Sequence, residues 1–333
     1  MASKESKTLP AFSELPLRAG DPPYSAWDLW GPDNEIGTLN HITPETVKRA
    51  AQEIKHGKRF SLNWPLTTPK TPGIGRHNYP FSHTIHCDTP GLVFDDSITF
   101  NTQISSQWDG LRHFAYQASQ QFYNGTTKSS ITTPGSSVLG LQNVSAQGDI
   151  AARGVLLDYY AYISSLSGRE YDPTDHHAIT YDALMACIAY QEKLSGEKIE
   201  FLPGDILVIR CGYTKHYTAL SPDDEVVLGK RMDLIATGVQ QDLRTLKWMW
   251  ENRFAAVGGD SPSFEAFPPN AEAGFVYHEV LLAGWGCMIG EMWDLEGLAE
   301  WCKEEKRWSF FLASVPLNVV GGVGSPANVM AIV

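Results

Sequence analysis

Asp109 and His113 stand four residues apart in the stretch Gln107-Trp108-Asp109-Gly110-Leu111-Arg112-His113-Phe114. On a helical or tightly turned backbone that spacing aims both side chains at one point. One imidazole with one carboxylate begins the mixed nitrogen and oxygen donor set that Zn²⁺ or Mn²⁺ accepts. Far downstream, His278 and Glu291 offer a second such pair. The flanks of Glu291, Met288-Ile289-Gly290 and Met292-Trp293, are apolar. They favour burial and therefore a partner for its charge. Each residue also has an ordinary reading. Asp109 and His113 can be a buried hydrogen-bonded pair that organises a loop. His278 can bond a backbone group at a helix start, and Glu291 can be a solvated carboxylate beside Asp294 and Glu296. Four concordant positions tilt the balance toward a site.

Around this set lie groups suited to a flat substrate. Aromatic residues make up 11% of the chain, with ten Trp. Most must be core, but Tyr24, Trp27, Trp64, Trp108 and Phe114 are candidates to stack on an aromatic ligand. Arg112 can pair with a substrate carboxylate or phenolate, or equally make a structural ion pair. Other candidates are weaker. His176-His177 fit a polar loop, and His83 and His86 fit a surface loop. Ser261 lacks the Gly-x-Ser-x-Gly surround of a nucleophile elbow. Gly321-Gly322-Val323-Gly324 lacks the strand and helix that a dinucleotide fingerprint needs.

The elements that must position these residues interleave as helices and strands. Thr43 caps a helix opening at Pro44, with Gly57 as its end. Phe60–Trp64 alternates like a strand. Residues 65–100, rich in Pro, Gly, His and Thr, read as a long loop near the mouth of the site. Gly154–Asp158 and Asp205–Arg210 are buried strands, with a helix from about Thr180 to Lys193 between them. A further helix spans roughly Thr237 to Trp250 and feeds a strand, Phe254–Val257. His278 starts a short helix through Leu282. Trp308–Ser314 is a late strand, Gly321–Pro326 a turn-rich loop, and Val329–Val333 the last strand. No linker divides the chain. The expectation is one α/β domain over residues 24–333 with an extended N-terminal arm at residues 1–23.

The block around Asp109 resembles a degraded His-x-Gly-Thr-His-x-Asp-x-Pro-x-His motif of the cyclase superfamily, which includes arylformamidases and isatin hydrolases. The resemblance extends over Trp30-Gly31, Glu35–Asn40, Gly204–Arg210, Asp260-Ser261-Pro262, His278 with Leu281-Leu282, and Glu291, closest to a fungal-type branch. It implies an α/β fold with a swivelling β/β/α-type core, assembled as a homodimer or homotetramer. It implies a metal site, in which Asp109, His278 and Glu291 are ligands and His113 is the proton donor and acceptor. The motif's first two histidines fall on Gln103 and Gln107, its Gly-Thr on Ser105-Ser106, and its Pro on Leu111. A Gln carbonyl is a weaker donor than imidazole. The expectation is therefore one divalent ion, Zn or Mn, with Gln107 as a further oxygen donor or a supporting partner. The implied activity is metal-dependent hydrolysis of an amide, imide or lactone bond in an aromatic or polyketide-like small molecule. The alternative is a cyclase, isomerase or dehydratase of specialised metabolism, non-hydrolytic and possible without metal. A binding protein that kept the fold without the chemistry is a third reading.

Composition narrows the partners. The formal net charge of −12 disfavours nucleic acid and anionic membranes as partners. No run approaches the length of an apolar membrane span. The polar start, Met1-Ala2-Ser3-Lys4, is not followed by a secretory apolar core. Five scattered cysteines, Cys87, Cys187, Cys211, Cys287 and Cys302, include no CxxC pair and fit a reducing cytoplasm. The sequons at Asn124 and Asn143 have no consequence there.

Overall fold

The computed structural model describes residues 9–89, 92–166, 171–231 and 233–333. Its frame is a nine-stranded sheet, in the order Arg59–Ser61, Val329–Ile332, Ser309–Ser314, Ile150–Leu157, Ile206–Ile209, Ala256–Gly259, Met288–Glu291, Gln107–Asp109 and Gly324–Pro326. The four central strands, from Ile150–Leu157 to Met288–Glu291, run parallel, and the flanking strands pair antiparallel. The fold is α/β. The central strands are apolar on both faces because helices cover them, so Ile206–Ile209 reads as an unbroken buried run.

Local signals set the helices. Thr43 accepts a hydrogen bond from the Thr46 amide and Pro44 takes the first turn, but the helix closes at Ala51, ahead of Gly57. Thr180 caps Tyr181–Ser195, and Gly196 ends it in the left-handed conformation. The helix expected from Thr237 starts instead at Leu243. Asp242 caps it, and Gly238–Val239 before it pairs as a short strand. The strand after it is likewise displaced, to Ala256–Gly259.

Two expectations for loops are corrected. Within residues 65–100, Ser82–Thr89 and Val93–Thr99 form an antiparallel hairpin separate from the main sheet. His83 pairs with Ile98, and Ile85 with Asp96, so one face carries Ile85, Phe94 and Ile98, all exposed. The turn-rich segment at Gly321 turns directly into a strand, where Gly324 faces Asp109 across the sheet.

The edge of the sheet that matters is pinned by Trp293. Its ring meets Trp108 edge-on at 4.8 Å, and its Nε1 donates to the Gln107 carbonyl at 3.1 Å. A Cβ at Gly290 would lie 2.2 Å from that ring, so the strand ending in Glu291 needs glycine there. Residues 9–23 lie against the body: Trp250 donates its indole N–H to the Pro10 carbonyl. No helix among the described residues is long and apolar enough to cross a membrane.

Candidate metal and acid–base site

Register brings two of the candidates together before any side chain is considered. Glu291 lies opposite Gln107, and Ile289 opposite Asp109, across adjacent antiparallel strands. After Asp109 the chain turns. Gly110 donates to the Val323 carbonyl at 2.9 Å, and the His113 amide closes back on Gly110 at 2.9 Å. A Cβ at Gly110 would meet that carbonyl at 2.6 Å, so glycine permits the turn that swings His113 back over Asp109. His278 comes from a third segment, at the head of a π-helical stretch, Glu279–Trp285. Such wide turns are frequent at functional sites.

The four side chains converge. The His278 Nε2 lies 3.6 Å from Asp109 Oδ2 and 3.3 Å from Glu291 Oε1. The His113 Nε2 lies 3.8 Å from the same Asp109 oxygen. Asp109, Glu291 and His278 are buried, while the His113 side chain retains 21% exposure. Asp109, His113 and His278 each offer a ligand atom, all within 4.8 Å of one another.

The fit to an ion rests on what is unsatisfied. Asp109 Oδ2 is fully enclosed and accepts no hydrogen bond among the described residues. A buried carboxylate oxygen left so is costly. Two imidazole nitrogens stand near it, beyond hydrogen-bond length. In tetrahedral coordination with bonds of ~2.1 Å, ligand atoms sit roughly 3.4 Å apart. The observed spacings bracket that value, and the nitrogen and oxygen donors are those Zn²⁺ and Mn²⁺ accept.

The surrounding hydrogen bonds fix which atoms face inward. Gln103 Nε2 donates to Asp109 Oδ1 at 2.7 Å, leaving Oδ2 for the centre. Gln107 Nε2 donates to Gln103 Oε1 at 2.8 Å and to Glu291 Oε2 at 2.9 Å, leaving Glu291 Oε1 near His278. Among the described residues the Gln107 Oε1 is itself buried without a partner. The two glutamines thus lie at the cluster and orient its carboxylates.

Glu265 is the participant that sequence reasoning missed. Its Oε1 holds His278 Nδ1 at 2.7 Å and the His278 amide at 2.9 Å. Its Oε2 accepts from the Tyr277 amide at 2.7 Å and Gln241 Nε2 at 2.6 Å. This turns His278 Nε2 toward Asp109 and Glu291. The available signal was a carboxylate between Phe264 and Ala266-Phe267, the same apolar flanking that marked Glu291.

The charges are strongly coupled. Burial works against the charged form of His278, but the neighbouring carboxylates of Asp109, Glu265 and Glu291 hold its pKa well above the usual histidine range. Burial would raise Asp109, yet the charges of His113 and His278 bring it below the ordinary carboxylate value. Burial and the negative Asp109 push Glu291 up. Glu265 is lowered: burial opposes this, and its bond to His278 outweighs it. Three carboxylates in one buried cluster call for a compensating cation, either imidazolium or metal.

Of the aromatic candidates, Phe114 alone is brought against the cluster, its ring 5.4 Å from that of His278. Three expectations are corrected. Trp108 is wholly enclosed between Trp293 and Ser314, to whose hydroxyl its indole donates. Trp27 is buried and donates to the Ala283 carbonyl. Arg112 forms no ion pair among the described residues and is not directed at the cluster. Its guanidinium ties together the carbonyls of Ser136, Val138 and Gly321. Trp64 packs 5.0 Å from Tyr217, in a smaller apolar cluster that includes Met292. Tyr24 stacks on Phe12. His83 and His86 sit on the exposed hairpin, and His177 bonds Tyr159, so neither pair joins the site.

Comparison with known proteins adds an independent line. A family described as "Putative cyclase" matches residues 60–266. That span holds Asp109, His113 and Glu265. A solved structure described as a novel cyclase is 32% identical, with a TM-score of 0.77, covering 93% of this chain and 99% of its own. Isatin hydrolase A from Ralstonia solanacearum is 16% identical, with a TM-score of 0.56 over 87% of this chain and 98% of its own. An isatin hydrolase bound to the product analogue thioisatinate is 14% identical, with a TM-score of 0.54 over 88% and 99%. At such identities these two show a shared fold. No curated protein matches the chain.

Proposed function

We propose that this chain, which belongs to the cyclase family, is a metal-dependent hydrolase of an amide, imide or lactone bond in an aromatic or polyketide-like small molecule. The observation that carries the reading is Asp109 Oδ2, a buried oxygen without a hydrogen bond among the described residues, faced by two imidazoles and near a second carboxylate. Asp109, His278 and Glu291 would hold one Zn²⁺ or Mn²⁺ ion, with the Gln107 carbonyl oxygen as a further donor. The bound ion would supply Lewis acidity toward the substrate carbonyl and toward a water.

The chain's own residues account for the rest. Glu265 accepts the Nδ1 proton of His278 and so presents the bare Nε2 to the centre. Gln103 and Gln107 hold the outer oxygens of Asp109 and Glu291, so the inner ones stay aimed. His113, partly exposed, takes a proton at Nε2 and returns it to the leaving group, and it exchanges protons with solvent. Its distance to Asp109 suits a ligand as well as a proton carrier, and the metal content of a His113 variant separates the two roles. Phe114 beside His278 supports an aromatic substrate. Isatin, named for two of the structural relatives, is the first compound to assay.

A second reading has its own support. With no ion, His278 held as imidazolium among three carboxylates is an acid–base cluster able to promote cyclisation, isomerisation or dehydration. Product mass decides between them: hydrolysis adds one water, and isomerisation adds nothing. The proposal includes a homodimer or homotetramer, supported by the exposed apolar face of the hairpin.

A further inference from the structure

A cleft of about 610 Å³, part of it open to solvent, lies against the other side of Gln103. The wall is largely apolar, formed by Ile104, Tyr213, Tyr217, Leu228 and Met292. Tyr213 and Tyr217 continue into Trp64, giving an aromatic surface suited to a planar ring. Met292 follows Glu291 in sequence, so the cleft adjoins the cluster at two points.

Two arginines line this cleft, Arg76 and Arg231. Arg76 donates to the Gln103 carbonyl at 2.9 Å and to Gln103 Oε1 at 3.3 Å. Arg231 donates to the Thr174 carbonyl at 2.9 Å. Among the described residues neither guanidinium forms an ion pair. Asp233, a carboxylate in the lining, is exposed and not in ion-pair contact with either. Arg76 acts through space on the carboxylate of Glu291 and Arg231 on that of Asp172, with no close pair to either among the described residues, so both forks keep donors for an arriving anion. A guanidinium has five N–H donors in a fork that matches a carboxylate. Arg76 has donors left after its two bonds to Gln103.

We infer that this cleft binds an aromatic acid, with the ring against Tyr213 and Tyr217 and the carboxylate on Arg76. The inference rests on the hydrolase reading, in which the product of acyl cleavage is a carboxylate. Gln103 makes the cleft part of the same site. The side chain that accepts from Arg76 donates to Asp109 Oδ1, so Arg76 itself is two hydrogen bonds from the cluster.

The test is equilibrium binding of 4-fluorobenzoate, followed by ¹⁹F NMR, with 4-fluorobenzamide as the neutral isostere. The whole protein is titrated as purified and again after chelation. Benzoate should bind at least about tenfold more tightly than the benzamide, since a charge-assisted pair is lost with the amide. Arg76→Met should erase that preference, and Leu228→Trp, which fills the cleft, should weaken both ligands. Benzoate that does not bind, that binds equally well to both variants, or that depends on the metal and not on Arg76 overturns the inference. If Arg76→Met does not fold, Leu228→Trp decides alone. Binding is read without turnover, so the two proposals fail separately. A protein that hydrolyses isatin but ignores benzoate loses only this inference. One that binds benzoate yet holds no ion and adds no water loses only the hydrolase reading.

Discussion

Glu265→Gln is the substitution whose effect the geometry defines best. Each Glu265 oxygen accepts two hydrogen bonds, from His278 Nδ1 and the His278 amide on one side and from the Tyr277 amide and Gln241 on the other. A glutamine offers one oxygen and one NH₂. With the NH₂ toward Tyr277 and Gln241, donors face donors. With it toward His278, Nδ1 must accept, and the proton moves to Nε2, where it blocks a metal. Loss of such an orienting carboxylate typically weakens a metal site about 10–100-fold, or about 1.4–2.8 kcal/mol. The mismatched buried donors cost a further ~1–3 kcal/mol of folding stability. Titration of the ion-free protein with Zn²⁺ or Mn²⁺ by calorimetry reads the first effect, and thermal unfolding reads the second. Wild-type metal affinity in a variant that is measurably destabilised would refute the reasoning, because Glu265 would then support the fold without orienting His278.

Three further outcomes follow. His113→Ala should reduce kcat by roughly 10²–10⁴ with metal content unchanged. An unaltered rate makes His113 structural, and lost metal makes it a ligand. The raised pKa of His278 means that, without an ion, its contribution to stability is complete below the unfolded value of about 6.5 and is lost as pH rises through the folded value. A bound ion needs the neutral imidazole, so chelation should lower Tm more at alkaline than at mildly acidic pH, and a pH-independent difference would contradict this assignment. Ile85→Ser with Phe94→Ser should reduce the mass seen by light scattering to that of one chain, whereas an unchanged oligomer removes the hairpin from the interface.

What was legible in the sequence was local or strongly typed. Thr43-Pro44 and Thr180 mark helix starts because capping depends on neighbouring residues alone. Asp109 and His113 were recognisable by their four-residue spacing and, with His278, by the resemblance of their segments to a family motif, and Glu291 also by apolar flanks that demand a partner for its charge. Trp108 was misjudged because a strand alternates its faces, and only the sheet order reveals that its side packs on Trp293. The hairpin of Ser82–Thr89 and Val93–Thr99 escaped because His83 and Asp96 interrupt its apolar face. Glu265 and Arg76 act across 13 and 27 residues, on His278 and Gln103, through contacts that no spacing rule announces.

Metal analysis of the purified protein tests the central claim most directly. After exhaustive dialysis, elemental analysis should find about one Zn or Mn per chain, as the donor set requires, and Asp109→Asn and His278→Ala should each lose it while remaining folded. Full activity with no divalent ion present, or an ion retained by both variants, would contradict the account.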